Sequence, residues 1–273
     1  MADIITVAIE KGGVGKTSTV VNLAALTAMD GKRTLVVDMD SQANTTYMLT
    51  GENKMSMAFR DRGIFDMIRA HGLKPTKDFI SKTQIENLDI IPSNAQTPKT
   101  VGMLQILENG KTSQNIFLLL CLAEVADDYD YIIVDTPPSR DALTMNALVA
   151  SDYVLIPCKC DNFSLDSLST TYEICSMLSE SENTEIKIIG IVLTIVERTA
   201  LTQTIREELR ESEYGTELLQ TEIRKGQVVS DSTRFASPVV IYAKSSTPAK
   251  DYVSLYHELM ERIARIESEE ANG

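Results

Sequence analysis

Seven residues near the N-terminus, Lys11-Gly12-Gly13-Val14-Gly15-Lys16-Thr17, have the composition and order of a loop that wraps phosphate. They follow the apolar run Ile4–Ile9, and a helical pattern begins at once after them. Glycines let backbone N–H groups curl around an anion without Cβ clashes, and a helix N-terminus adds partial positive charge. In such a loop Lys16 reaches the β- and γ-phosphates of ATP, the Thr17 hydroxyl ligates Mg²⁺, and Ser18 hydrogen-bonds the α-phosphate. The segment departs from the usual G-x-x-x-x-G-K-[ST] order in having Glu10 where the first glycine would stand.

Two acidic strand ends belong to the same chemistry. Leu35-Val36-Val37-Asp38-Met39-Asp40 and Tyr131-Ile132-Ile133-Val134-Asp135 each place a carboxylate at the end of an apolar strand, and Thr136-Pro137-Pro138-Ser139 follows the second. Ligands of α/β sheets bind at the carboxyl ends of the strands, and an acid there holds or orients Mg²⁺ in phosphoryl transfer.

The elements that must position these residues are legible from periodicity. Strands are expected at Ile4–Ile9, Thr34–Val37, Leu88–Ile91, Tyr131–Val134, Tyr153–Ile156 and Ile186–Leu193, several of them apolar without alternation. Helical stripes lie between them. One is Val20, Leu23, Ala24 and Thr27, another Leu201, Ile205 and Leu209, and the clearest is Tyr252, Leu255, Tyr256, Leu259 and Ile263. The alternation predicts an α/β fold with a doubly wound, mostly parallel sheet flanked by helices. One domain over residues 1–266 is expected, with an irregular insertion from about Tyr47 to Lys82 and an acidic tail, 267–273, that frays.

Composition narrows the class. A hydrophobic content of 43% with 24% charged residues is that of an ordinary globular chain able to bury a core. No apolar run reaches the roughly 20 residues of a membrane span, and the N-terminus is not a signal peptide, so a cytoplasmic location is expected. Cys121, Cys158, Cys160 and Cys175 lie in or beside apolar stretches with no second Cys or His pair nearby, which predicts reduced structural thiols. The net charge of −13 opposes nucleic-acid binding globally and leaves room only for a local basic patch. Between Leu219 and Lys250 stand Arg224, Lys225, Arg234, Lys244 and Lys250, against Glu222 and Asp231.

Taken together, K-G-G-V-G-K-T at 11–17, N-L-A-A at 22–25, G-K-R-T-L-V-V-D-M-D-S-Q-A-N at 31–44, I-E-N-L-D-I-I-P-S at 85–93 and D-Y-D-Y-I-I-V-D-T-P-P-S at 128–139 resemble the ParA/Soj branch of the deviant Walker-A P-loop ATPases. That superfamily also contains MinD and the nitrogenase iron protein. N-A-L at 146–148 and V-L-I-P at 154–157 extend the resemblance along nearly the whole chain.

The resemblance implies roles. Lys11 would be the signature lysine that crosses a homodimer interface to the partner's ATP phosphates, making the active state an ATP sandwich dimer. Asp40 would position or activate the attacking water, and Asp135 would hold the Mg²⁺ shell through water. Lys11, Lys16 and Asp40 would thus carry slow ATP hydrolysis, stimulated by a ParB-like partner, in segregating a plasmid, integrative element or chromosome. Non-specific DNA would be bound in the ATP state, placing the protein at the nucleoid. The relatives' DNA-contacting run corresponds here to Ile223-Arg224-Lys225-Gly226-Gln227-Val228-Val229, with Lys225 on the first arginine and Val228 replacing the second; Arg198 falls on a further basic position. A sequence-specific repressor extension is not expected.

Other members suggest other cargo. A MinD-like membrane helix needs a basic polar face, whereas Asp251–Ile266 mixes Glu258 and Glu261 with Arg262 and Arg265, as a helix packed on the core does. An iron–sulfur carrier needs bridging cysteines that the sequence does not provide. The alternative to DNA is therefore the same ATPase switch acting on a membrane- or protein-scaffold-bound cargo. Two residues depart from the family pattern: Glu10, in place of the common Gln, and Arg140 followed by Asp141, in place of apolar residues. Weakened ATP binding or a protonated or paired state are open for Glu10; an ion pair, a partner contact or nucleotide sensing are open for Arg140.

Overall fold

The computed structural model describes residues 1–107, 113–161, 164–182 and 184–272. The strands are β1 (Asp3–Val7), β2 (Thr34–Asp38), β3 (Ser81–Lys82), β4 (Leu88–Ile91), β5 (Tyr131–Asp135), β6 (Tyr153–Lys159), β7 (Lys187–Val196) and β8 (Leu218–Arg224). They form one eight-stranded sheet in the order β3-β4-β2-β5-β1-β6-β7-β8. Every neighbouring pair is parallel except the edge pair β3 and β4. The helices are α1 (Lys16–Met29), α2 (Asn44–Thr50), α3 (Ile64–Arg69), α4 (Thr100–Leu107), α5 (Phe117–Ala123), α6 (Ala142–Val149), α7 (Ser164–Glu182), α8 (Ala200–Glu211), α9 (Gln227–Arg234), α10 (Val239–Tyr242) and α11 (Thr247–Asn272).

The central strands are apolar on both sides because each side has its own core. Ile5, Val7, Val36 and Ile133 pack with residues of α1, α2, α10 and α11. Their neighbours Ile4, Leu35, Val37, Ile132 and Val134 pack with α3, α4, α5 and α6. A third cluster joins β6 and β7 to α7 and α8. Residue period 2 thus shows as alternation between two dry faces rather than between oil and water.

The topology fixes where a ligand can bind. β1 lies between β5 and β6, so the chain winds one way from β1 to β2 and the other way toward β8. Carboxyl ends of β1, β2 and β5 come together there, with Asp38 opposite Asp135 and Val7 opposite Asp135 in register. Crevices of open α/β sheets form at such reversals.

Three expectations are corrected. Residues 47–82 are not an irregular insertion. They contain the end of α2, all of α3, 3₁₀ turns at Met57–Phe59 and Thr76–Phe79, and β3, and they bury Ile64, Met67, Ile68 and Phe79. Helices of seven and six residues are too short to display a 3.6-residue period. Where a frayed tail was expected, α11 continues through residues 267–272, and Lys187 pairs with Glu270. β8 was not expected as a strand, because Gln220-Thr221-Glu222 interrupt its apolar residues on a sheet edge.

Candidate nucleotide site

The loop after β1 is shaped by two left-handed glycines. Gly13 has φ 71° and Gly15 φ 86°, a region that favours residues without Cβ. Gly15 is the N-cap of α1 and supplies no side-chain cap, so the first-turn N–H groups are left for an external acceptor. A cleft of about 240 Å³ opens at this turn, lined by Gly12, Gly13, Gly15, Lys16, Thr17 and Ser18 from the loop and by Asp40, Asn44 and Pro138 from elsewhere. Val14 is buried and packs in the third core cluster, so its side chain stays out of the cleft. Its carbonyl accepts a 2.7 Å hydrogen bond from the Thr194 hydroxyl. Lys16 is buried, its Nζ donating to the carbonyls of Ile9 at 3.0 Å and Lys11 at 2.8 Å. Burial pulls its pKa down, with Asp135 and Asp40 opposing.

The acids are graded by burial. Asp135 is fully buried, and its Oδ2 accepts from the Thr17 hydroxyl at 2.9 Å and the Thr45 hydroxyl at 2.6 Å. Its Oδ1 is buried with no hydrogen-bond partner. Asp38 is equally buried; its Oδ2 accepts the N–H of Thr46 at 2.8 Å and its hydroxyl at 2.6 Å, and its Oδ1 accepts the N–H of Asp40 at 3.2 Å. Desolvation, then the charge of Asp135, pushes Asp38 up to about 8. Desolvation pushes Asp135 up to about 6, against the Thr45 and Thr17 hydroxyls that favour its anion. The two buried carboxyls together thus resist carrying two negative charges. Asp40, partly exposed, is the acid that reaches the cleft.

The Lys11 side chain is ion-paired with Asp161 just beyond β6. Glu10 and Arg140 meet: Arg140 Nε donates to Glu10 Oε2 at 2.5 Å.

Residues 2–188 match the family model described as "AAA domain". Over 260 residues the chain is 35% identical to the sporulation initiation inhibitor protein Soj of Bacillus subtilis (strain 168), covering 95% of this chain and 98% of Soj. The chain belongs to the ParA/Soj family of P-loop ATPases. It is also 32% identical over 261 residues to the chromosome partitioning protein ParA of Myxococcus xanthus (strain DK1622), covering 95% of this chain and 88% of that one. In fold it is similar to a putative plasmid partition protein of Borrelia burgdorferi B31 bound to AMPPNP, with a TM-score of 0.76 at 24% identity over 97% of this chain and 99% of that one.

A second hollow, which sequence reasoning missed, lies beside the ParA/Soj phosphate loop. It measures about 190 Å³ and runs from Gly15 and Ser18 to Ile223, Val229 and Tyr252. Its walls come from β8, α9 and α11, and only the recognition of β8 as a strand could have brought them to the loop.

The candidate DNA contacts also gather, with Arg224 and Lys225 already paired to acids of their own chain. Arg198 and Arg224 line one broad surface hollow with Glu197, Arg206 and Glu222, and the Lys225 N–H bonds the Val196 carbonyl at 3.0 Å. Arg224 Nε donates to both Asp251 oxygens, at 3.2 and 2.9 Å, and its backbone N–H to Oδ2 at 3.0 Å. Lys225 is ion-paired with Glu197, and Arg206 with Glu222. The basic excess read along residues 219–250 is thus offset by acids that β7 and α11 bring from outside that window.

Among the described residues, no helix is long and apolar enough to cross a membrane, and no cluster of His, Cys, Asp and Glu has the make-up of an all-protein metal site. The stripe Tyr252, Leu255, Tyr256, Leu259 and Ile263 is buried against α1 and the sheet, as expected for a helix packed on the core.

Proposed function

We propose that this ParA-type ATPase binds ATP with magnesium in the cleft at residues 11–18, closes on it as a sandwich homodimer, and hydrolyses it slowly under a ParB-like partner's stimulation. The observation that carries this reading is the junction on Asp135. Thr17, from the phosphate loop, and Thr45, from the first turn of α2, donate to the same carboxylate oxygen, and the other oxygen is buried without a protein donor.

The residues fit the group. A hydroxyl and a buried carboxylate with an unused oxygen are the hard donors that magnesium takes beside phosphate, the carboxylate acting through water. Thr17 and Asp135 would hold the metal, which when bound supplies positive charge against the phosphate oxygens. Gly12, Gly13, Val14 and Gly15 would offer backbone N–H groups, with Lys16 and Ser18 completing the cradle. The apolar hollow beyond Gly15 and Ser18 fits the flat, weakly polar base. Asp40, ionisable and partly exposed at the cleft, would orient the attacking water and accept its proton. Lys11 would leave Asp161 to reach the partner's phosphates, adding a second cation to the transferring group.

In this reading the ATP dimer holds DNA without sequence preference through Arg198, with Arg224 and Lys225 beside it, and drives segregation of a plasmid, integrative element or chromosome at the nucleoid. Doubling a few phosphate contacts by dimerisation makes such binding ATP-dependent and steeply salt-sensitive. One observation favours a second reading, in which the cargo sits on a protein or membrane scaffold: Arg224 and Lys225 are both neutralised by carboxylates of their own chain.

The deciding experiment uses Asp40→Ala, which is expected to bind ATP without turning it over. Its binding to a duplex of arbitrary sequence is measured with ATP and with ADP at two salt concentrations. Binding with ATP alone, weakening sharply with salt, supports the DNA reading; an ATP dimer that ignores DNA sinks it in favour of the scaffold.

A further inference from the structure

Glu10 and Arg140 are each unusual for their place in the sequence, and the fold makes them partners. Arg140 Nε donates to Glu10 Oε2 at 2.5 Å across 130 positions, and Arg140 Nη2 donates to the Thr170 hydroxyl of α7 at 2.9 Å. Both ends of the bridge lead to the phosphate cleft. Glu10 immediately precedes Lys11 and the loop glycines. Arg140 follows Pro138, which lines the cleft and whose Cβ lies 3.9 Å from where a Cβ on Gly12 would stand.

The backbone that carries Arg140 is itself held. Asp141 Oδ1 accepts the N–H groups of Leu143 at 3.0 Å and Thr144 at 3.3 Å, capping α6, and Oδ2 accepts the Ser139 hydroxyl at 2.9 Å. The guanidinium therefore projects from a fixed base.

Fold stability does not account for the pair. The side chains are 48% and 41% exposed, and ion pairs so wet contribute little to stability. The larger consequence is electrostatic. A carboxylate beside a loop that receives a polyanion opposes it, and a guanidinium placed on that carboxylate cancels most of the opposing field.

We propose that Arg140 is a positioning residue for nucleotide binding. It neutralises Glu10 and ties the loop after Asp135 to the phosphate loop, so affinity for ATP depends on the pair rather than on either residue. The proposal rests on reading the cleft as the ATP site.

The test is equilibrium binding of ATP and ADP with magnesium to the wild type, Arg140→Met, Glu10→Gln and the double variant, at low and high salt. Arg140→Met is expected to weaken ATP about threefold or more at low salt, weaken ADP less because it carries less charge, and lose its effect as salt rises. Glu10→Gln is expected to tighten ATP, and the double variant to return to within about twofold of wild type. Circular dichroism of Arg140→Met separates misfolding from lost charge, and the recovery in the double variant does so again. An unchanged Arg140→Met affinity overturns the proposal, as does a double variant as weak as Arg140→Met or a loss indifferent to salt. A wild type that binds no ATP overturns the site and the proposal together.

Discussion

The Thr45 hydroxyl donates a hydrogen bond to Asp135 at 2.6 Å, across 90 positions of chain, and so joins the start of α2 to the end of β5. Its neighbour Thr46 does the same for Asp38, and the Thr46 hydroxyl also accepts the Ser93 N–H at 2.9 Å. The start of α2 is thus pinned to two strand-end carboxylates, and Asp40 hangs on the segment between. Thr45→Val removes a donor from a fully buried acid while keeping the shape of the side chain. A loss of about 2 kcal/mol in unfolding free energy is expected, since hydrogen bonds to charged groups contribute roughly 1.5–3 kcal/mol. Urea denaturation without nucleotide measures it, and a change near zero would mean that Asp135 is satisfied otherwise.

The buried acids also set a pH dependence. Burial, then the charge of Asp135, raises Asp38 from about 3.8 to about 8 in the fold. The folded state therefore binds more protons, so its stability is greatest below the unfolded value and falls as pH rises through the folded one. Asp135 and Asp3, each pushed up to about 6, add in the same direction. The urea midpoint of the nucleotide-free protein should decline from about pH 4 to about pH 8, with a shallower decline in Asp38→Asn. Equal slopes in the two proteins would remove Asp38 as the source.

Lys11 is paired within its own chain, its side chain about three-quarters screened from water, and it immediately precedes Gly12 and Gly13 of the cleft. Lys11→Ala should abolish ATP-dependent dimerisation, read by light scattering, while some ATP binding persists. Its unfolding free energy should change by no more than about 1 kcal/mol, as for other partly exposed pairs. An intact ATP dimer in this variant would refute the cross-interface role.

Arg198 and Arg224 should behave differently although they share a hollow. Arg224→Ala leaves Asp251, whose side chain is only 8% exposed, without its cation, and should cost about 1–3 kcal/mol of stability. Arg198→Ala should instead weaken DNA binding uniformly across sequences and reduce the salt slope by about one for each DNA phosphate it would otherwise neutralise. Duplex titrations over a salt series, paired with urea melts, separate the two. Unchanged DNA affinity in Arg198→Ala would make the face a solvated one.

The glycine-rich loop, α1, the strands β1, β2 and β5 and the acids at their ends were legible in the sequence because each is local. Cradling a phosphate requires glycines, a lysine and a hydroxyl within one turn, and a strand buried on both faces must be apolar throughout. Helices below about seven residues, such as α3, and the polar edge strand β8 carried no comparable signal. Only the tertiary structure decided which charge meets which: Glu10 with Arg140, Lys11 with Asp161, Arg224 with Asp251, Lys225 with Glu197. Side-chain charges act over a few ångströms in space irrespective of separation along the chain, so their partners are fixed by the loops that the reversal at β1 and the packing of α11 bring together.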